Sequence, residues 1–71
     1  MDWISDTDQQ YTTTQGTCQG LVWRNTGGSW KALVSRQGVA VGTNRFPTVE
    51  EAWAWCEAEI AALAAAGRCP E

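Results

Sequence analysis

Three cysteines, Cys18, Cys56 and Cys69, are the only candidate nucleophiles in this sequence of 71 residues. A catalytic thiol needs a base to activate it, and the sequence contains no histidine. The cysteines also lack the CxxC spacing that is typical of zinc sites. We therefore predict a protein that is not an enzyme and that has no metal site and no cofactor.

The pairing of these cysteines is the next question. An odd number without a paired spacing favours reduced thiols, which predicts a cytoplasmic location with Cys56 packed in the core. A bridge between Cys18 and Cys69 is the open alternative. The longest uncharged run, from Gln9 to Trp23, is polar, so no membrane span is expected. Residues 1–6 show no secretory signal.

A C-terminal helix is the element with the clearest local signals. Thr48 and Glu51 form a capping box, the chain from 49 to 66 is rich in alanine, and Gly67 can end the helix in the left-handed conformation. Spacings of three and four residues predict a buried stripe, made of Val49, Ala52, Trp53, Cys56, Ile60 and Leu63. Trp55 lies off this stripe, and it either folds over the edge of the sheet or contacts a partner.

Strand signals precede the helix. β-branched and aromatic residues between glycine-containing turns predict strands over residues 9–14, 18–24, 29–36 and 39–42. The sequence therefore predicts an α+β fold, a three- to four-stranded antiparallel β-meander packed on one C-terminal α-helix, with residues 9–14 as the extra N-terminal strand. We expect one domain over residues 9–67, a tail over 68–71, and an arm over 1–8 that is loose or docks as a short strand.

The two faces of the predicted sheet differ in character. Trp30, Ala32 and Val34 carry the larger bulk of their strand and are predicted to face the helix. The same face is expected to include Leu21, Trp23, Val39 and Val41. The opposite face then mixes cations, small residues and aliphatic residues, namely Val22, Arg24, Lys31, Leu33, Ser35 and Ala40. Such a mixture favours a surface that meets a partner.

Charge is separated along the chain. The net charge of −3 counts against nucleic-acid binding, but the window 9–49 contains no acid and carries +4, whereas the remainder carries −7. The four cations of the window are Arg24, Lys31, Arg36 and Arg45. A basic sheet of this kind could lie against phosphates. The alternative is an ordinary solvated surface whose cations balance the acids of the helix.

Several stretches share the pattern of a known family. Gly28-Ser29-Trp30 begins the middle strand, and the run from Phe46 to Ala52 leads into the helix. Together with residues 20–24 and 39–43, these stretches resemble the Apetala-type (ethylene-response-factor) DNA-binding domain and its relatives, the amino-terminal arm-binding domains of phage and transposon integrases. In that family three antiparallel strands pack on one helix and the sheet lies in the DNA major groove. The resemblance covers residues 19 to about 60 and implies a groove-facing role for Arg24.

Two functions from different classes follow. The first is a small DNA-binding module, whose predicted contacts are Arg24, Lys31, Arg36, Arg45, Asn25 and Asn44. The second is a protein-interaction module, either a homodimer or an inhibitor encoded by a phage or mobile element, which uses the sheet face or the acidic helix. Its predicted contacts are Val22, Leu33, Ala40 and Trp55.

Overall fold

The structure is a computed structural model that describes residues 3–7 and 9–69, apart from the side chains of Asp6 and Thr7. The ends of the predicted arm and tail lie outside the described residues, and so do the charges of Asp2, Asp8 and Glu71. The described chain forms five strands and then one helix, namely β1 (Ile4–Thr7), β2 (Gln10–Gln15), β3 (Cys18–Arg24), β4 (Trp30–Arg36), β5 (Val39–Phe46) and α1 (Val49–Ala65).

The strands form one antiparallel sheet in the order of the sequence, β1-β2-β3-β4-β5, with α1 packed on one face. The α+β class, the meander and the C-terminal helix are confirmed. The sheet has one strand more than the sequence predicts, because residues 4–7 of the arm dock on β2 as β1. The last strand is also longer than predicted, because β5 continues through residues 43–46 along β4.

The ends of α1 follow the local signals. The Thr48 side chain accepts a hydrogen bond from the backbone N–H of Glu51 at 3.3 Å, which places Thr48 at the N-cap. At the other end Gly67 has φ 72°, and the N–H of Arg68 donates to the carbonyl of Leu63 at 2.8 Å. These two features form a Schellman motif, which turns the chain back toward the sheet. The predicted helix is therefore confirmed.

The pairing register decides which side chains face α1. Val22 pairs with Ala32, and Val34 pairs with Gly20. Directly paired residues of neighbouring strands share a face, and Val22, Ala32 and Val34 are all fully buried. The core under α1 consists of Cys18, Val22, Ala32, Val34, Ala52, Cys56 and Ile60. The predicted helix stripe is confirmed, since Val49, Trp53 and Leu63 pack around these residues.

The predicted faces of β3 were wrong. Leu21 and Trp23 pair with Leu33 and Lys31, on the sheet surface that faces away from α1, which we call the outer face. Side-chain size does not show which face of β3 is buried, because α1 packs closely against the small residues of this strand. A Cβ atom at Gly20 would lie 3.1 Å from the terminal methyl of Ile60. Any larger residue at this position would require Ile60 and Thr13 to move by a few tenths of an ångström, so glycine fits the close packing of α1 on the sheet.

The edge strand β5 corrects two further predictions. Val39 and Val41 were predicted to face the helix, but they are 66% and 48% exposed. The register shifts here, since Val34 pairs with Gly42 whereas Ser35 pairs with Ala40. Val41 is therefore the extra residue of a β-bulge, and bulges bend the strand that contains them. The valines lie on the part of β5 that α1 does not cover.

Aromatic side chains close the boundary between the sheet and the helix. The indole N–H of Trp3 donates to the Glu57 carboxylate at 3.1 Å, and the Trp3 ring lies 6.1 Å from that of Trp53. The ring of Tyr11 meets Trp53 edge-on at 5.1 Å. These contacts attach the start of the chain to α1, so the described part of the predicted arm is a docked strand.

The expectation of reduced thiols was wrong for two of the three cysteines. Cys18 and Cys69 form a disulfide, with a Cα–Cα distance of 5.3 Å. The Schellman turn after α1 brings Cys69 back over the start of β3, so residues 51 positions apart become neighbours. Cys56 is the free cysteine and is buried in the core, as expected. The odd count thus combines one bridge with one core residue.

Within the described residues, the one helix is too short and too polar to cross a membrane.

Candidate functional site

The outer face of the sheet is the surface where the sequence places its candidate chemistry. Its side chains form rows that cross the strands, because each residue pairs with its neighbours in register. One row contains Gln10, Trp23, Lys31 and Arg45. The next row contains Ile4, Thr12, Leu21, Leu33 and Thr43. The outer face therefore joins an aromatic and cationic row to an aliphatic row.

The first row brings one aromatic ring and two cations together. Lys31 pairs with Trp23 on one side and with Arg45 on the other. The Lys31 Nζ lies 5.8 Å from the centroid of the Trp23 ring, which is a cation–π distance. Trp23 and Lys31 are partly buried, whereas Arg45 is exposed. This arrangement, the Trp23 row, offers a flat ring flanked by positive charge.

The second row gives the outer face its apolar part. Leu21 and Leu33 pair with each other at the centre of the sheet and are partly buried. Ile4, at the end of this row on β1, is 66% exposed. Threonines stand between and beside these residues, so the row is amphipathic.

Charge is divided between the two sides of the molecule. The four acidic side chains that the structure describes, Glu50, Glu51, Glu57 and Glu59, all lie on α1. The charges of the outer face that can be described are those of Lys31 and Arg45, both positive. Among the side chains that the structure describes, the sheet therefore carries cations and α1 carries acids.

The structure brings together only some of the predicted nucleic-acid contacts. Lys31 and Arg45 are adjacent, but Arg24 pairs with Trp30 and Arg36 pairs with Cys18, both in register positions of the α1 side. Arg24 and Arg36 also lie at opposite ends of the sheet. The four predicted cations therefore do not form one patch. Lys31 and Arg45 are a pair on the outer face, whereas Arg24 and Arg36 are separate, at the two ends of the sheet.

The two predicted asparagine contacts lie elsewhere. Asn25 is in the β3–β4 loop, where its backbone N–H donates to Ser29 at 2.8 Å and its carbonyl accepts from Gly28 at 3.1 Å. Asn44 pairs with Ala32 and so belongs to the α1 side of β5. Its side-chain Oδ1 accepts from the N–H of Arg45 at 2.8 Å, which steadies the strand beside the Trp23 row.

The predicted protein contacts separate in the same way. Val22 is fully buried under α1, so its predicted place on an interface was wrong. Leu33 and Ala40 do lie on the outer face. Trp55 folds over the sheet edge, with the centre of its ring 6.0 Å from that of Phe46. Its ring also lies against Gly42, where an added Cβ atom would be 3.6 Å from the nearest ring carbon. That contact is the first of the two alternatives for this tryptophan.

Trp23 is the candidate binding residue that sequence reasoning assigned to the wrong face. The signal that places it was present in the cysteines. A Cys18–Cys69 bridge requires Cys18 to face the end of the helix, and alternation along β3 then sends Gly20 and Val22 to the same side. Leu21 and Trp23 must therefore point outward. Taking the cysteines as unpaired removed this constraint.

Cys56 has the environment of a packing residue. It is fully buried, and desolvation raises the pKa of its thiol to about 11, with smaller raising contributions from Glu57 and Glu59. Backbone hydrogen bonds of Leu33 and Leu21 offset part of this rise in the pKa. At neutral pH the thiol is protonated, which does not suit a nucleophile.

Within the described residues there is no pocket and no cluster of side chains that could hold a metal ion. No protein-family model, no curated protein and no solved structure matches this chain. The resemblance to the Apetala-type domain therefore stays a prediction, and the geometry of the outer face carries the functional argument.

Proposed function

We propose that this chain is a small, non-enzymatic module that binds DNA through the outer face of its sheet. The observation that carries the proposal is the Trp23 row, in which Trp23, Lys31 and Arg45 occupy neighbouring positions on three adjacent strands. Lysine and arginine contact phosphates, and an aromatic ring contacts bases. The described acids lie on α1, on the opposite side, so they do not touch a polyanion that binds the outer face.

The number of cations on the outer face sets the expected salt dependence. Two phosphate contacts give a slope of log K against log salt of about −1.4 for a single strand and about −1.8 for a duplex. Raising salt from 50 to 200 mM is then expected to weaken binding by about 7- to 12-fold. If all four predicted cations touched phosphates, the loss would be about 50- to 150-fold. Fluorescence anisotropy of labelled DNA at several salt concentrations measures this slope.

Charge-neutral variants provide the matched control for that measurement. Lys31→Gln with Arg45→Gln is expected to remove most of the salt dependence, whereas Arg24→Gln with Arg36→Gln should leave the affinity within about twofold, because those cations lie off the outer face. Failure to bind DNA at micromolar protein in about 50 mM salt would overturn the proposal, since phosphate contacts are strongest at low salt.

A second candidate function, protein interaction, is favoured by the exposed edge of the sheet. On β5, Val39 and Val41 are exposed at an edge strand, and Ala40 and Leu33 lie on the adjoining outer face. Exposed apolar edges pair readily with another chain. For a homodimer, light scattering is expected to show twice the mass of the chain, and Leu33→Glu should convert it to a folded monomer. A mass of 7.7 kDa for the unaltered chain would exclude the dimer.

The predicted cytoplasmic location was based on reduced thiols. The disulfide between Cys18 and Cys69 removes that basis, because such bridges are typical of proteins in oxidising compartments. A cytoplasmic location, and a phage or mobile-element origin, therefore stay predictions.

A further inference from the structure

We propose that the outer face binds single-stranded DNA in preference to duplex DNA. The inference rests on the proposed function and specifies its substrate. Three features of the outer face carry it: the aromatic ring of Trp23, the width of the sheet, and the leucines beside the ring.

The ring of Trp23 is useful only to a base that has left the stack. Trp23 lies on the outer face, and the Lys31 ammonium lies 5.8 Å from the centre of its ring. A stacking base takes the place of that ammonium, which is then free to move to the adjacent phosphate. In a duplex both faces of an internal base are covered by its neighbours, so the ring of Trp23 gains nothing there.

The sheet is too wide for a duplex groove. Five strands span four inter-strand spacings, about 19 Å in all. The major groove of B-DNA is about 12 Å wide. The strands β1 and β2 continue the same sheet beyond Trp23, and their pairing is in register through Gln10 and Thr12. A single strand meets no such limit, because it can lie across the sheet along a row.

The leucines of the second row favour a single strand of DNA over one of RNA. Leu21 and Leu33 lie next to Trp23 and Lys31 along β3 and β4, so a base on the Trp23 ring has methyl groups beside it. Thymine carries a C5-methyl group that makes apolar contacts of this kind, whereas uracil does not. Contact with one thymine methyl is expected to strengthen binding by about fourfold.

The test compares strands on the unaltered chain by fluorescence anisotropy in about 50 mM salt. The probes are a labelled 20-nucleotide single strand of mixed sequence, the duplex of the same sequence, and oligo(dT), oligo(dU) and oligo(rU) of equal length. We expect the single strand to bind at least about fivefold more tightly than the duplex. We also expect oligo(dT) to bind more tightly than both uracil strands.

Variants of Trp23 identify the ring as the cause. Trp23→Ala is expected to weaken single-strand binding by about 5- to 150-fold and to leave duplex binding within about twofold. Trp23→Phe, which keeps an aromatic ring, should stay within about threefold of the unaltered chain. Thermal unfolding of each variant shows that the fold is retained.

Each contrary result overturns a different statement. Duplex binding as tight as single-strand binding overturns the strand preference and leaves DNA binding standing. Oligo(rU) that binds as tightly as oligo(dT) overturns the assignment to DNA, and oligo(dU) that does so overturns the contact with the thymine methyl. If neither strand form binds, the proposed function itself is wrong, and a dimer that Leu33→Glu dissociates then identifies the outer face as a protein interface.

Discussion

Removing the Cys18–Cys69 disulfide is expected to lower the free energy of unfolding by about 4 kcal/mol. The bridge joins residues 51 positions apart, and a cross-link over a loop of that length restricts the unfolded chain by about this amount in the chain-entropy treatment. A domain of 71 residues has a total stability of about 4 to 11 kcal/mol. The bridge therefore supplies a large share of the stability of this small core.

Guanidinium unfolding followed by tryptophan fluorescence, with and without a reductant, measures this share. The oxidised chain is expected to unfold at a clearly higher midpoint than the reduced chain. The double variant Cys18→Ala, Cys69→Ala should be insensitive to reductant, whereas Cys56→Ala, which keeps the bridge, should respond as the unaltered chain does. A difference below about 1 kcal/mol between the two redox states would contradict the prediction.

The same measurement bears on where the chain can act. If the reduced chain still has a positive free energy of unfolding, the fold is available in a reducing cytoplasm as well as in an oxidising compartment. If the reduced chain is unfolded, binding by the outer face requires oxidising conditions, because the paired strands that align Trp23, Lys31 and Arg45 exist only in the folded state.

The elements of this fold were predictable where their signals are local. Thr48, the alanine-rich run and Gly67 act within one or two helical turns, so the limits of α1 follow from neighbouring residues. The faces of β3 were not predictable from bulk, because they depend on how closely α1 approaches. At Gly20 a Cβ atom would lie 3.1 Å from Ile60 of α1, and glycine has no side chain that a pattern based on side-chain size could detect.

In the candidate site, too, the residue types were predictable from the sequence, whereas their arrangement was not. The sequence identifies Lys31 and Arg45 as cations, but their adjacency depends on the pairing of β4 with the part of β5 beyond residue 42. Those residues were interpreted as a loop, and the β-bulge at Val41 shifts the register between them and the hairpin turn. Trp23 lies beside Lys31 and Arg45 only when the side chains of β3 are assigned to the correct sides of the sheet. Contacts between distant residues therefore decide the site, and pairing of Cys18 with Cys69 would have fixed the face of β3 but not the register of β5.

The thiol of Cys56 is expected to resist alkylation in the folded protein by about 100-fold or more. Burial raises its pKa from 9.0 to about 11, so at pH 8 the folded chain has about 100-fold less thiolate than the unfolded chain. Since Cys18 and Cys69 are joined, iodoacetamide has one thiol to modify. The rates are compared in buffer and in denaturing guanidinium, both without a reductant. A native rate within tenfold of the denatured rate would contradict the buried, protonated thiol.

The same raised pKa gives the stability a pH dependence of known sign. Because the unfolded chain loses the proton first, stability is retained below about pH 9 and falls between pH 9 and 11, by about 3 kcal/mol in all. Other groups titrate in this range, so the matched comparison is with Cys56→Ala, in which this contribution is absent. As the pH rises from 9 to 11, the unfolding free energy of the unaltered chain is expected to fall by about 3 kcal/mol relative to that of Cys56→Ala. A constant difference would mean that Cys56 ionises as readily in the folded core as in the unfolded chain.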